Sequence, residues 1–191
     1  MTGPRWETFH TVELSAVLAT SYRASDRAAV AGLSMGGLGA LAYAARHPGR
    51  YAAAASFSGV VHTRRSSGVE YGYKNLVESQ GEDPNALWGD QKANDDVWAA
   101  HNPYDLASQL KGVPLFISCG NGLPGPLDPP NQLPDGNENA VNQQNVVFVK
   151  HLAELGVEAQ VDLYGPGTHT WPYWERELRR AWPMFAQALG V

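Results

Sequence analysis

The chain has 191 residues, 43% apolar and 17% charged, a length and balance suited to one domain with a core of its own. A net charge of −5 with no basic block argues against a nucleic-acid partner, and no apolar run approaches the ~20 residues that a bilayer-spanning helix needs. The single cysteine, Cys119, excludes an internal disulfide and a multi-cysteine metal site, and the six histidines show no HxxxH or HExxH spacing, so no metal is expected.

Residues 6–22 carry apolar side chains at helical spacing, from Trp6 and Phe9 through Val12, Leu14, Val17 and Leu18 to Tyr22. Arg27–Gly32 is a short apolar run of the kind found in a buried parallel strand. Gly36–His47 reads as a helix of small residues, stopped by Pro48 and Gly49. Tyr51–Phe57 reads as a second strand. Residues of about 62–105 are polar and irregular, an excursion with short helices. A helix start at Asn102-Pro103 leads to a third strand, Val113–Cys119, and a Pro/Gly/Asn loop. Glu138–Leu155 is a predicted helix, Val157–Tyr164 a fourth strand and Trp171–Leu189 a closing helix. This alternation predicts one α/β domain over residues 1–191, with helices flanking a mainly parallel sheet of about four strands.

The chemistry concentrates at Gly32-Leu33-Ser34-Met35-Gly36. A GxSxG pentapeptide is common by chance, but here it joins a predicted buried strand to a predicted helix, the context of a nucleophile elbow. Glycines 32 and 36 are expected to let the backbone pass close to its neighbours. The turn lifts the Ser34 hydroxyl above the sheet and aims the Met35 N–H at the position of an oxyanion. A serine hydroxyl needs a base. The order nucleophile, acid, histidine places that base in the loop after the last strand, where His169 stands between Thr168 and Thr170. The acid belongs after the third strand, where Asp128, Asp135 and Glu138 compete and position alone does not choose among them.

These residues resemble the antigen-85 mycolyltransferase and esterase family of α/β-hydrolases. The matching stretches include Ala31–Met35, His47-Pro48, Ser58-Gly59, Trp88-Gly89 and Cys119-Gly120-Asn121-Gly122. They continue from Glu138 through Asn145 to Phe148, and end in Gly167-Thr168-His169-Thr170-Trp171 with Tyr173-Trp174. The resemblance implies an α/β-hydrolase fold and selects Glu138 as the acid, with Asp135 as runner-up. It makes Cys119 a buried structural residue near the acid and the histidine. Gly36 stands where some members carry a larger residue, which leans toward general esterases over mycolyltransferases.

The resemblance also implies that the first strands of the fold, with one oxyanion donor, precede the segment seen here. The chain then reads as a partial α/β-hydrolase domain lacking those strands, and Arg27–Gly32 becomes a sheet edge. Pairing along that edge is expected, either in a homo-oligomer or with a complementing N-terminal segment. The second oxyanion donor would come from a partner, from the 62–80 stretch or from water. The expected function is a serine carboxylic ester hydrolase acting through an acyl-enzyme on a small-molecule or lipid ester, with acyl transfer to an alcohol or sugar as a further capacity. The alternative is a weak or inactive binding protein of the same fold, or a shortened chain. His62 and Trp171 are candidates for the substrate site. No cofactor is needed. Family members are typically secreted, whereas Met1–Trp6 lacks the basic-then-apolar layout of a signal peptide.

Overall fold

The structure, a computed structural model, describes residues 5–64 and 77–191. Four strands form its sheet: β1 (Ala29–Leu33), β2 (Ala53–Phe57), β3 (Leu115–Gly120) and β4 (Gln160–Gly165). All pair in parallel in the order β1-β2-β3-β4. The register sets Ala31 beside Ala55, Ala55 beside Phe116, and Phe116 beside Gln160. Each strand starts two or three residues later than its apolar run.

Helix α1 covers residues 6–22, as Trp6–Thr8, a π-helical turn Phe9–Glu13, and Leu14–Tyr22. Helix α2 (Met35–Arg46) leaves the end of β1 directly. The excursion contributes the short helices α3 (Asn85–Trp88), α4 (Asp95–Ala99) and α5 (Pro103–Leu106). Helices α6 (Gly136–Glu154) and α7 (Trp171–Leu189) precede and follow β4.

Strand alternation divides the core between the two faces of the sheet. On one face Ala54, Leu115 and Ile117 pack against Leu41 of α2, Leu106 of α5, and Phe148 and Leu152 of α6. On the other, Ala53, Ala55, Phe57 and Phe116 meet Trp174, Ala181, Met184 and Phe185 of α7. Burying each large apolar side chain stabilises the fold by roughly 1.5–3 kcal/mol. The small residues of β2 have a separate use, since they let α2 lie close: a Cβ added to Gly37 would stand 2.5 Å from Ser56 Oγ.

Helix α1 differs from this pattern. It has the predicted extent, but none of its residues is buried, and Trp6, Val12, Val17 and Tyr22 are well exposed. Polar contacts fasten it to α2 and the turn beyond. Glu7 Oε1 accepts from Arg46 Nε at 3.1 Å and lies 2.7 Å from His47 Nε2, while the Arg50 guanidinium donates to the Thr11 carbonyl and to Ser15. Strand β1 pairs on one side only within the described sheet, so it is an edge.

Candidate active site

The carboxyl ends of the four strands carry the candidate residues. Ser34 is the hinge between β1 and α2 and adopts φ 52°, ψ −121°, a conformation that costs a non-glycine residue about 1–3 kcal/mol. Its backbone is fixed from both sides: Ser34 N–H donates to the Phe57 carbonyl at 3.0 Å, and its own carbonyl accepts from Gly37 and Val60. Met35 opens α2, so its N–H belongs to the unpaired first turn at the positive end of the helix. The glycines divide unequally. A Cβ on Gly32 would fall 2.0 Å from the Gly36 carbonyl oxygen, so that glycine is required; a Cβ on Gly36 would meet nothing within 4 Å. The close-approach role expected of Gly36 belongs instead to Gly37, which faces Ser56 and Gly59.

Glu138 and His169 are joined directly. Glu138 lies in the first turn of α6, fully buried, and its Oε2 is 2.6 Å from His169 Nδ1. Its Oε1 accepts from Ser58 Oγ at 2.7 Å and the Gly120 N–H at 2.6 Å, with Cys119 Sγ at 3.4 Å and Tyr164 OH at 3.5 Å. Four donors therefore face this one buried carboxylate oxygen. The His169 ring stands edge-on to Trp174 at 4.9 Å, and Trp174 Nε1 donates to Ser58 Oγ at 3.1 Å. Ser34 lies at the same carboxyl end of the sheet, but among the described residues no hydrogen bond links its hydroxyl to His169.

The other two carboxylates shape the histidine loop. Asp135 caps α6 through Asn137 and Glu138 N–H, and its Oδ2 accepts from the His169 N–H at 3.0 Å. Asp128 accepts from Thr168 Oγ1, from Tyr173 OH at 2.8 Å and from Gly125 N–H at 2.8 Å. Burial works to raise the Asp128 pKa, and these hydrogen bonds outweigh it and bring the carboxyl below its ordinary value. The glycines of the two loops explain themselves by contact. Asn121 and Gly122 N–H donate to the Gly165 and Gly167 carbonyls, and Gly167 N–H returns to Leu123. A Cβ on Gly120 would stand 2.5 Å from the Gly167 oxygen.

Cys119 is fully buried on β3, and burial foremost, then the charge of Glu138, pushes its thiol pKa well up. Trp171 is exposed at the start of α7 and packs edge-on to Trp174. Together with Gly32, Leu33, Phe57 and Leu178 they line an apolar cleft of about 340 Å³. His62 has another setting: its ring stacks on Tyr104 at 4.0 Å, with Asn102 Nδ2 at 3.3 Å from Nδ1. Trp98 and Tyr173 belong to the interior. Most of the 62–80 stretch, expected to offer a second oxyanion donor, lies outside the described residues. Sequence spacing gives no sign that Ser58, the residue after β2, belongs to the site. Its positive φ of 47° marks it, as Ser34 is marked, for a constrained position.

A strained serine between a parallel strand and a helix, with a buried glutamate paired to a half-buried histidine at the carboxyl end of the same sheet, marks an α/β-hydrolase fold. The chain belongs to the esterase family whose model, described as "Putative esterase", matches residues 2–185. It is 31% identical over 191 residues to the diacylglycerol acyltransferase/mycolyltransferase Ag85B of Mycobacterium intracellulare, covering 98% of this chain and 57% of that protein. Ag85B of Mycobacterium leprae is 34% identical over 185 residues, covering 94% and 55%. The chain thus spans little more than half the length of these curated relatives. Among solved structures, Mycobacterium tuberculosis MPT51 (FbpC1) matches with TM-score 0.79 and 25% identity, over 96% of this chain and 68% of that one. The Staphylococcus aureus fluorophosphonate-binding serine hydrolase FphF shares the fold, with TM-score 0.65 and 22% identity over 92% of this chain and 61% of that one.

Proposed function

We propose that this chain carries the nucleophile, acid and base of a serine carboxylic ester hydrolase with acyl-transfer capacity. The observation that supports it most is the 2.6 Å contact between Glu138 Oε2 and His169 Nδ1. It fixes the tautomer that leaves Nε2 free to take a proton. Ser34 Oγ attacks the ester carbonyl while His169 Nε2 accepts its proton, and the Met35 N–H stabilises the oxyanion. Collapse expels the alcohol, which takes the proton from His169, and leaves an acyl ester on Ser34. Water or an acceptor alcohol then attacks that ester, its proton passing to His169 and on to the departing Ser34 Oγ, which restores the serine and releases the carboxylic acid or the new ester. The relatives named acyltransferase/mycolyltransferase favour acyl transfer beside hydrolysis, and the apolar cleft beside Trp171 suits the acyl group of a small or lipid ester. Hydrolysis of a short-chain p-nitrophenyl ester that disappears in Ser34→Ala supports the reading; unchanged turnover in that variant refutes it.

One observation favours a second reading, a binding protein of the same fold without turnover: the absence, among the described residues, of a Ser34–His169 hydrogen bond. Such bonds often tighten only when substrate is bound. Assembly belongs to the same proposal. The edge near Arg27–Gly32 and the exposed apolar side chains of α1 suit a second copy of the chain, or a complementing N-terminal segment, that continues the sheet. Light scattering at micromolar concentration is expected to show a species larger than one chain, and a monodisperse monomer contradicts self-pairing.

A further inference from the structure

We infer that Asp135 is the positioning residue of this site, tying the helix that carries Glu138 to the loop that carries His169 through one carboxylate. The inference rests on the esterase reading and adds to it. Its first ground is geometry. Asp135 Oδ1 accepts from Asn137 N–H at 2.9 Å and Glu138 N–H at 3.1 Å, which sets the backbone of the acid. Asp135 Oδ2 accepts from His169 N–H at 3.0 Å, which sets the backbone of the base 34 residues away. Its own N–H donates to the Gly122 carbonyl at 2.7 Å, and the Gly122 N–H donates to Gly167 at 3.0 Å. Glu138 and His169 are therefore referred to the same rigid group, and their side chains meet at 2.6 Å as a result.

The second ground is economy of contact. An ordinary N-cap needs one oxygen, and Ser or Asn serves nearly as well as Asp. Asp135 uses its second oxygen across the site instead. Asp135 touches none of the reacting atoms, so its effect on turnover passes through His169. A displacement of the base by a fraction of an ångström is enough to slow proton transfer, since misplacement by about 1 Å can cost about 10² in rate.

Two variants separate the cap from the link. Asp135→Ser caps α6 but does not reach His169. Asp135→Asn caps with its one oxygen and presents its amide N–H to the His169 N–H, donor against donor. With p-nitrophenyl acetate, kcat is expected to fall about tenfold or more in both, with KM near that of the wild type, while the lost hydrogen bond to His169 lowers the melting temperature modestly, more so in Asp135→Asn. The spectroscopic signature is the downfield proton resonance of the short Glu138–His169 hydrogen bond. It should move upfield or broaden in both variants, whether or not Ser34 turns over. Wild-type kcat with an unmoved resonance overturns the inference, and so does a fall in kcat with the resonance unmoved. A wild-type protein without turnover refutes the esterase reading instead, and the resonance alone then decides the role of Asp135.

Discussion

Glu138 Oε2 lies 2.6 Å from His169 Nδ1, and the opposite oxygen of the same buried carboxylate takes hydrogen bonds from Ser58 and Gly120. Both oxygens face donors, so a glutamine here keeps its carbonyl oxygen for Ser58 and Gly120 and turns its NH₂ to His169 Nδ1, which accepts only in the other tautomer. Glu138→Gln is therefore expected to change stability by about 1 kcal/mol at most. The wrong His169 tautomer would lower kcat by about 10⁴. Thermal unfolding and p-nitrophenyl ester hydrolysis of the purified variant measure the two effects separately.

Gly32 and Gly36 should respond oppositely to the same added methyl group. In Gly32→Ala the Cβ falls 2.0 Å from a backbone oxygen that cannot move without opening the turn, so the variant is expected to be insoluble or to lose at least ~3 kcal/mol. In Gly36→Ala the Cβ meets nothing within 4 Å, and the helix gains up to ~1 kcal/mol of propensity. Melting temperatures of the two variants give the comparison.

Much of this arrangement is legible in the sequence because it is local. The strand-turn-helix around Ser34 is contiguous, and the Trp171–Leu189 helix is bounded as its apolar spacing predicts. The acid was less so. Asp128, Asp135 and Glu138 all follow β3, and all three prove to hold the His169 loop, at Thr168, the backbone N–H and the ring respectively. Contacts across 31 to 40 residues leave no periodic trace in the chain. The exposure of α1 was illegible for a related reason: spacing predicts an apolar face but not whether anything covers it.

Cys119 should be a poor nucleophile in the folded protein. Burial and the neighbouring Glu138 both disfavour its thiolate, the reactive form. Iodoacetamide at neutral pH is expected to label it slowly when native and quickly in denaturant, with loss of esterase activity tracking the label. Fast native labelling contradicts its setting, and full labelling with activity intact contradicts the link to Glu138.

Asp128 predicts an acid-sensitive histidine loop. Its folded pKa is depressed, so its stabilising contribution is complete above the unfolded aspartate value of about 4 and is lost as pH falls through the folded value. Asp128→Asn removes that dependence. Between neutral pH and about pH 3, the wild type should lose more stability than the variant, as read from denaturant midpoints. Parallel losses would contradict the assignment.

The most direct test of the account is covalent labelling with a fluorophosphonate, located by peptide mass spectrometry. One modified residue is expected, Ser34, with labelling abolished in Ser34→Ala and greatly slowed in His169→Ala. No label on the wild type, a label on another serine, or labelling of Ser34 at an unchanged rate in His169→Ala would contradict it.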